Sequence, residues 1–155
     1  MSTRFDPRSL PGGRRIQTEV EFDPSAAAPA DTPIAGRAMV VVVTDRMDPR
    51  EDSIGPLVTE LLEEEGFLVG GVVGVASDES EVRKALETAV VGGFDFVVTV
   101  GGTGVGPRDI TPEVTEEILD QRLPGIAEAV RSSGLTAGAV DSIVSRGLVG
   151  VSGST

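Results

Sequence analysis

The chain contains no cysteine and no histidine. The first absence excludes disulfides, thiol nucleophiles, zinc–thiolate sites and iron–sulfur clusters. The second excludes Ser-His-Asp triads, imidazole general bases and imidazole metal ligands. Tryptophan and tyrosine are missing too, and the only aromatics are five phenylalanines, so the core is expected to be aliphatic. Bases are few, 13 against 25 acids, for a formal charge of −12. That balance argues against a protein that wraps nucleic acid, where a basic face does most of the binding, and against an anionic membrane surface. No apolar run reaches the length of a membrane span, and the N-terminus lacks the apolar stretch of a signal peptide. A cytoplasmic location is therefore expected. Catalysis is left to carboxylates, arginines, hydroxyls, backbone N–H groups or a hard cation such as Mg2+.

What is present suffices for one domain. The 155 residues are 39% hydrophobic and 25% charged, which permits a packed core and argues against wholesale disorder. Residues 1–36 stand apart, with Pro7, Pro11, Pro24, Pro29, Pro33 and the run Ala26-Ala27-Ala28. They are expected to form an N-terminal arm, poorly ordered or contacting another subunit. The alternation Ile16-Gln17-Thr18-Glu19-Val20-Glu21-Phe22 reads either as part of that arm or as a strand added to a neighbour's sheet edge. The arm carries a net charge of −1 and residues 37–155 carry −11.

From Arg37 onward, strand and helix signals alternate. Ala38 to Thr44 is a short β-branched run that reads as a strand covered on both faces. Gly55-Pro56 opens a helix, with Leu57, Leu61 and Leu62 as its expected inner stripe and Gly66 as its stop. Phe67 to Val75 is a second strand. Asp78 is placed as the N-cap of a second helix, with Glu81 three residues on and Val82, Ala85, Leu86, Ala89 and Val90 at helical spacing. Phe94 to Val100 is a third strand. Thr111 is the expected N-cap of a third helix, followed by Pro112. Pro124 to Arg131 is a fourth, with Ile126, Ala127 and Val130 inward. Gly147 to Val151 reads as a late strand and Ser152-Gly153-Ser154 as a turn. The natural chain is expected to continue beyond Thr155, so the domain at 37–155 would be cut short at its C-terminal end. Strands separated by helices imply an α/β fold with parallel pairing and helices on both faces. In such sheets ligands bind outside the carboxyl ends of the strands.

Three loops fall on that edge. After the third strand, Gly101, Gly102, Gly104 and Gly106 let backbone approach a ligand closely and present N–H groups to an anion. The helix N-terminus at Thr111 adds a positive dipole end. The loop reads as a phosphate cradle or, more blandly, as a glycine-rich turn. It is not a Walker loop, because Pro107-Arg108 stand where Lys and Ser/Thr are required. Asp109 beside such a loop suggests a cation, and Mg2+ held by one or two carboxylates plus phosphate oxygens would meet that need. Asp78, after the second strand, reads either as a helix cap or as a second such carboxylate. The first loop carries Asp45, Arg46, Arg50, Asp52 and Ser53, with its arginines well placed to attract phosphate.

Gly101-Gly102-Thr103-Gly104, followed by Pro107-Arg108-Asp109-Ile110-Thr111-Pro112-Glu113, closely resembles the signature of the MogA/MoaB molybdopterin-binding domain family. The resemblance runs from about Ala38 to Val151. It takes in Thr44-Asp45-Arg46, Asp52-Ser53-x-Gly55, Asp78, Pro124-Gly125 and Ser145-Arg146, and is strongest to MoaB-type members. It implies a three-layer α/β/α fold with a mostly parallel central sheet, assembling as homotrimers or homohexamers. It also implies adenylylation of molybdopterin by ATP, with Mg2+. Carried over residue by residue, Asp78 and Asp109 match the family's critical acids, as catalytic and Mg2+-ligating groups. Gly101, Gly102, Thr103 and Gly104 match the loop that contacts pterin and phosphate. Asp45, Arg46, Asp52, Ser53, Arg108, Thr111, Ser145 and Arg146 are counted with the substrate-binding residues. Family members continue with a further strand and a Leu-Pro-Gly-x-Pro-like loop, which is not in this chain. The alternative is a non-catalytic, pterin-binding oligomer of MoaB type. A pterin dehydratase is less favoured, since such acid–base chemistry usually leans on histidine.

Overall fold

The computed structural model describes residues 34–45 and 53–155. Nearly all of the arm, including the alternation at 16–22, lies outside the described residues. The elements run β1 (Gly36–Val43), α1 (Ile54–Glu64), β2 (Phe67–Val75), α2 (Glu79–Val91), β3 (Phe96–Val100), α3 (Thr111–Ile118), β4 (Gln121–Arg122), α4 (Pro124–Thr136), a 3-10 turn (Val140–Val144) and β5 (Gly150–Val151). The central sheet has the order β2-β1-β3 and both of its pairings are parallel. A small antiparallel pair joins β4 to β5.

β1 is the axis of the molecule. Its residues from Ala38 to Val43 are all buried, and because side chains alternate along a strand they feed two separate layers. Ala38, Val40 and Val42 pack with Val69 beneath Val58 and Leu62 of α1. Met39, Val41 and Val43 pack with Val82, Ala85, Leu86 and Ala89 of α2 and Val114 of α3. Each buried valine contributes on the order of 1.5–3 kcal/mol. The fold is thus the expected three-layer α/β/α arrangement. Among the described residues no helix is long and apolar enough to cross a membrane.

Three local expectations need correction. In α1 the inner residues are Gly55, Val58, Thr59 and Leu62, whereas Leu57 and Leu61 remain 53% and 51% exposed. Thr59 tolerates burial because its hydroxyl donates to the Gly55 carbonyl at 2.9 Å. In α4 only Ala127 is buried, while Ile126 and Val130 are exposed. Thr111 is the first residue of α3 and not its cap; the N-cap position falls to Ile110, without a side-chain cap.

The connections create the cleft. After β1 the chain turns to α1 on one face, and after β3 it turns to α3 on the other. Two adjacent parallel strands whose loops part to opposite faces leave a crevice at their carboxyl ends.

Candidate functional site at the carboxyl edge of the sheet

The glycine-rich loop owes its shape to contacts with its own chain. Gly101 and Gly102 have φ of +99° and +63°, in the region that favours glycine. A Cβ on Gly101 would collide with the Val43 carbonyl, and one on Gly102 would lie 2.5 Å from the Thr111 hydroxyl oxygen. The loop therefore crosses directly over the end of β1. Thr111 fastens it there. This residue is 1% exposed, its hydroxyl donates to Gly101 O at 2.9 Å, and its N–H donates to Gly102 O at 3.0 Å. With Thr111 so engaged and Pro112 lacking an N–H, the start of α3 offers little to an anion directly.

Beyond the crossing, the loop folds around Asp109. Its Oδ2 accepts from the Gly106 N–H at 2.8 Å, and a Cβ on Gly104 would lie 2.7 Å from the same oxygen. Among the described residues, the backbone N–H groups of Thr103, Gly104 and Val105 donate to no protein acceptor. Free amides on a loop bent over a strand end form an anion cradle.

Asp45, just past β1, joins the flanking loops. Its Oδ1 accepts from the Ser77 N–H at 3.1 Å and from Arg108 Nη2 at 2.8 Å. Asp78 follows Ser77 directly and caps α2, its Oδ1 accepting from the N–H groups of Ser80 and Glu81 at 3.0 and 3.2 Å. Asp45, Asp78, Arg108 and Asp109 thus share one edge of the sheet. β2 and β3 flank β1, so their ends lie roughly 10 Å apart at standard strand spacing.

Residues 39–155 match a family model described as "Probable molybdopterin binding domain". The chain belongs to this molybdopterin-binding domain family. Among solved structures it is similar to a molybdopterin biosynthesis protein from Mycobacterium abscessus, with 59% identity, a TM-score of 0.75, and coverage of 79% of this chain and 78% of that one. Among curated proteins it is 33% identical over 100 residues to molybdenum cofactor biosynthesis protein B of Bacillus cereus, covering 61% of this chain and 57% of that protein. It is 42% identical over 86 residues to a molybdopterin adenylyltransferase of Pyrococcus furiosus, covering 54% and 50%. The chain spans about half the length of these two curated relatives.

The remaining residues expected at the site are distributed as follows. Arg46 and Asp52 lie outside the described residues. Ser53 is exposed at the N-cap position of α1, with no side-chain cap bond. The Ser145 hydroxyl lies 3.3 Å from the Thr103 hydroxyl and accepts from the Gly147 N–H at 3.3 Å. Arg146 reaches into the loop, its Nε donating to Gly104 O at 2.7 Å and its Nη2 to Asp109 O at 2.6 Å. Glu113 pairs with Arg146. Sequence reasoning missed Glu113 as part of the site; the two partners are 33 residues apart, and only its place inside the signature hinted at a role. The Arg146 hydrogen bond, helped by the Glu113 backbone N–H, holds the Glu113 carboxyl below the usual glutamate range. That interaction is complete above the ordinary glutamate pKa and is lost as pH falls through the lowered one.

A cavity of about 510 Å3 adjoins the loop at Gly101, Thr103 and Ser145. It lies beside β3 and α4, is lined by apolar side chains such as Leu86, Val97, Ile118 and Val149, and includes none of the three aspartates.

Proposed function

We propose that this family member acts in molybdenum cofactor biosynthesis, as an ATP-dependent adenylyltransferase for molybdopterin. The observation that carries the reading is the cradle of free amides at Thr103, Gly104 and Val105, with Arg108 beside it, at the crevice between β1 and β3. The reaction joins the terminal phosphate of molybdopterin to the α-phosphorus of ATP, and pyrophosphate leaves. Nucleotidyl transfer needs alignment and charge neutralisation more than proton shuttling, so a chain without histidine or cysteine is chemically adequate. The name of the Pyrococcus furiosus relative supports the same reading.

In this scheme the loop amides hold a phosphate, and Arg108 exchanges its Asp45 partner for a phosphate oxygen. Asp78 Oδ2 and Asp109 Oδ1 make no hydrogen bond among the described residues, and no three acids there gather into a metal cage. Two partly free carboxylates suit Mg2+, which prefers few protein ligands plus substrate phosphates. Bound there, the ion would offset triphosphate charge.

Replacing Asp109 by Ala is expected to abolish formation of adenylylated molybdopterin, with the far-ultraviolet dichroism retained. Calorimetry of the unaltered chain is expected to detect ATP–Mg2+. Pterin binding without any nucleotide binding overturns the catalytic reading in favour of a binding module, and full turnover by Asp109→Ala removes Asp109 from the reaction.

A further inference from the structure

The two arginines at this edge are bonded in opposite ways, and from that contrast we infer that Arg146 is a positioning residue that aims the loop amides, while Arg108 is the arginine that engages the anion. This rests on the reading of the loop as a phosphate site.

Among the described residues Arg108 is held by one carboxylate, Asp45, and its side chain is 69% exposed. One exposed ion pair is worth little in water, so a phosphate can take its place. Arg146 is committed on several sides at once. Its own N–H donates to Thr103 O at 2.8 Å, its Nε and Nη2 hold Gly104 O and Asp109 O, and its Nη1 is paired with Glu113. The segment that carries it is held in turn from α4, where Arg131 Nη1 donates to Gly147 O at 3.2 Å.

The consequence follows from the geometry of the peptide unit. In a trans peptide the C=O of one residue and the N–H of the next point in opposite directions, and no described peptide is cis. Drawing the Thr103 and Gly104 carbonyls toward Arg146 therefore turns the Gly104 and Val105 N–H groups to the opposite side. Those two belong to the set left free for a ligand. The grip on Asp109 O anchors the far end of the same turn, so a planar fork sets the span of the loop. Glu113 neutralises the guanidinium, so Arg146 acts here through geometry. Lysine presents a single point charge and cannot reach Gly104 O, Asp109 O and Glu113 together.

The test compares Arg146→Lys and Arg108→Lys in the full chain by amide hydrogen exchange, calorimetry with pyrophosphate, and adenylyl transfer. For Arg146→Lys, exchange at the hydrogen-bonded loop amides of Gly106 and Thr111 is expected to rise at least about 10-fold while β1 stays protected. Its kcat should fall at least about 10-fold, with KM for ATP within about 3-fold, because a misaimed loop costs alignment. Arg108→Lys should weaken pyrophosphate at least about 3-fold and leave loop exchange unchanged. If Arg146→Lys does not fold, Glu113→Gln provides the same exchange test, with a smaller rise expected at the same amides. Unchanged loop exchange in the Arg146 or Glu113 variant overturns the inference, as does a loss of pyrophosphate affinity in Arg146→Lys without faster exchange. Failure of the unaltered chain to transfer adenylyl groups defeats the functional reading alone, since the exchange comparison decides the role of Arg146 without turnover.

Discussion

Thr111 shows how a residue marked by a motif can serve the backbone in place of the ligand. It is buried at the start of α3, and its hydroxyl and N–H both hold carbonyls of the glycine pair at 101–102. Thr111→Val preserves the shape and removes the hydroxyl donor, leaving Gly101 O short of a partner. The expected loss is about 1–3 kcal/mol, read from the urea midpoint, and unchanged stability would contradict the fastening role. The glycines were legible as points of close approach, but the sequence did not say to what. Gly101 and Gly102 approach Val43 and Thr111, and Gly104 makes room for Asp109. Glu113 was hinted at only by its place in the signature, because its partner comes from a segment brought back only after α4.

Among the elements, α2 was the most readable, since both of its signals are local. Asp78 caps it as the spacing to Glu81 required, and Val82, Ala85, Leu86 and Ala89 are buried. α1 was harder. Its apolar residues exceed one face, and periodicity alone does not choose between Leu57 with Leu61 and Val58 with Leu62. The choice was made by where β1 and β2 place Val40 and Val69. β4 was missed because a two-residue strand has no period. The cap also offers a way to separate structure from chemistry. Asp78→Asn keeps a capping oxygen and should stay within a few tenths of a kcal/mol of the parent, whereas Asp78→Ala should lose about 1 kcal/mol. If Asp78 also serves the transfer reaction, both variants lose activity alike, in side-by-side melting and turnover measurements. An active Asp78→Asn would reduce Asp78 to its cap.

At the scale of the whole molecule, the sheet order was not written in the sequence, yet the carboxyl edge could be located without it, because parallel strands put every site loop on one side. Assembly is a separate matter. Ile54, Leu57 and Leu61 lie at i, i+3 and i+7 on α1 and are 45%, 53% and 51% exposed, a stripe larger than scattered surface apolars require. Homotrimers or homohexamers, which the resemblance implies, would account for it. Sedimentation equilibrium is expected to give three or six times the 16.0 kDa of one chain, and Leu57→Glu with Leu61→Glu to lower that mass. A monomeric parent would remove this explanation of the stripe. One last point concerns Asp45, which grips the loops of both outer strands through a single oxygen. A guest that wins Arg108 on one lip of the crevice leaves that oxygen to Ser77 alone on the other. News of occupancy then crosses the sheet through the surrender of one bond, with no strand having to slide.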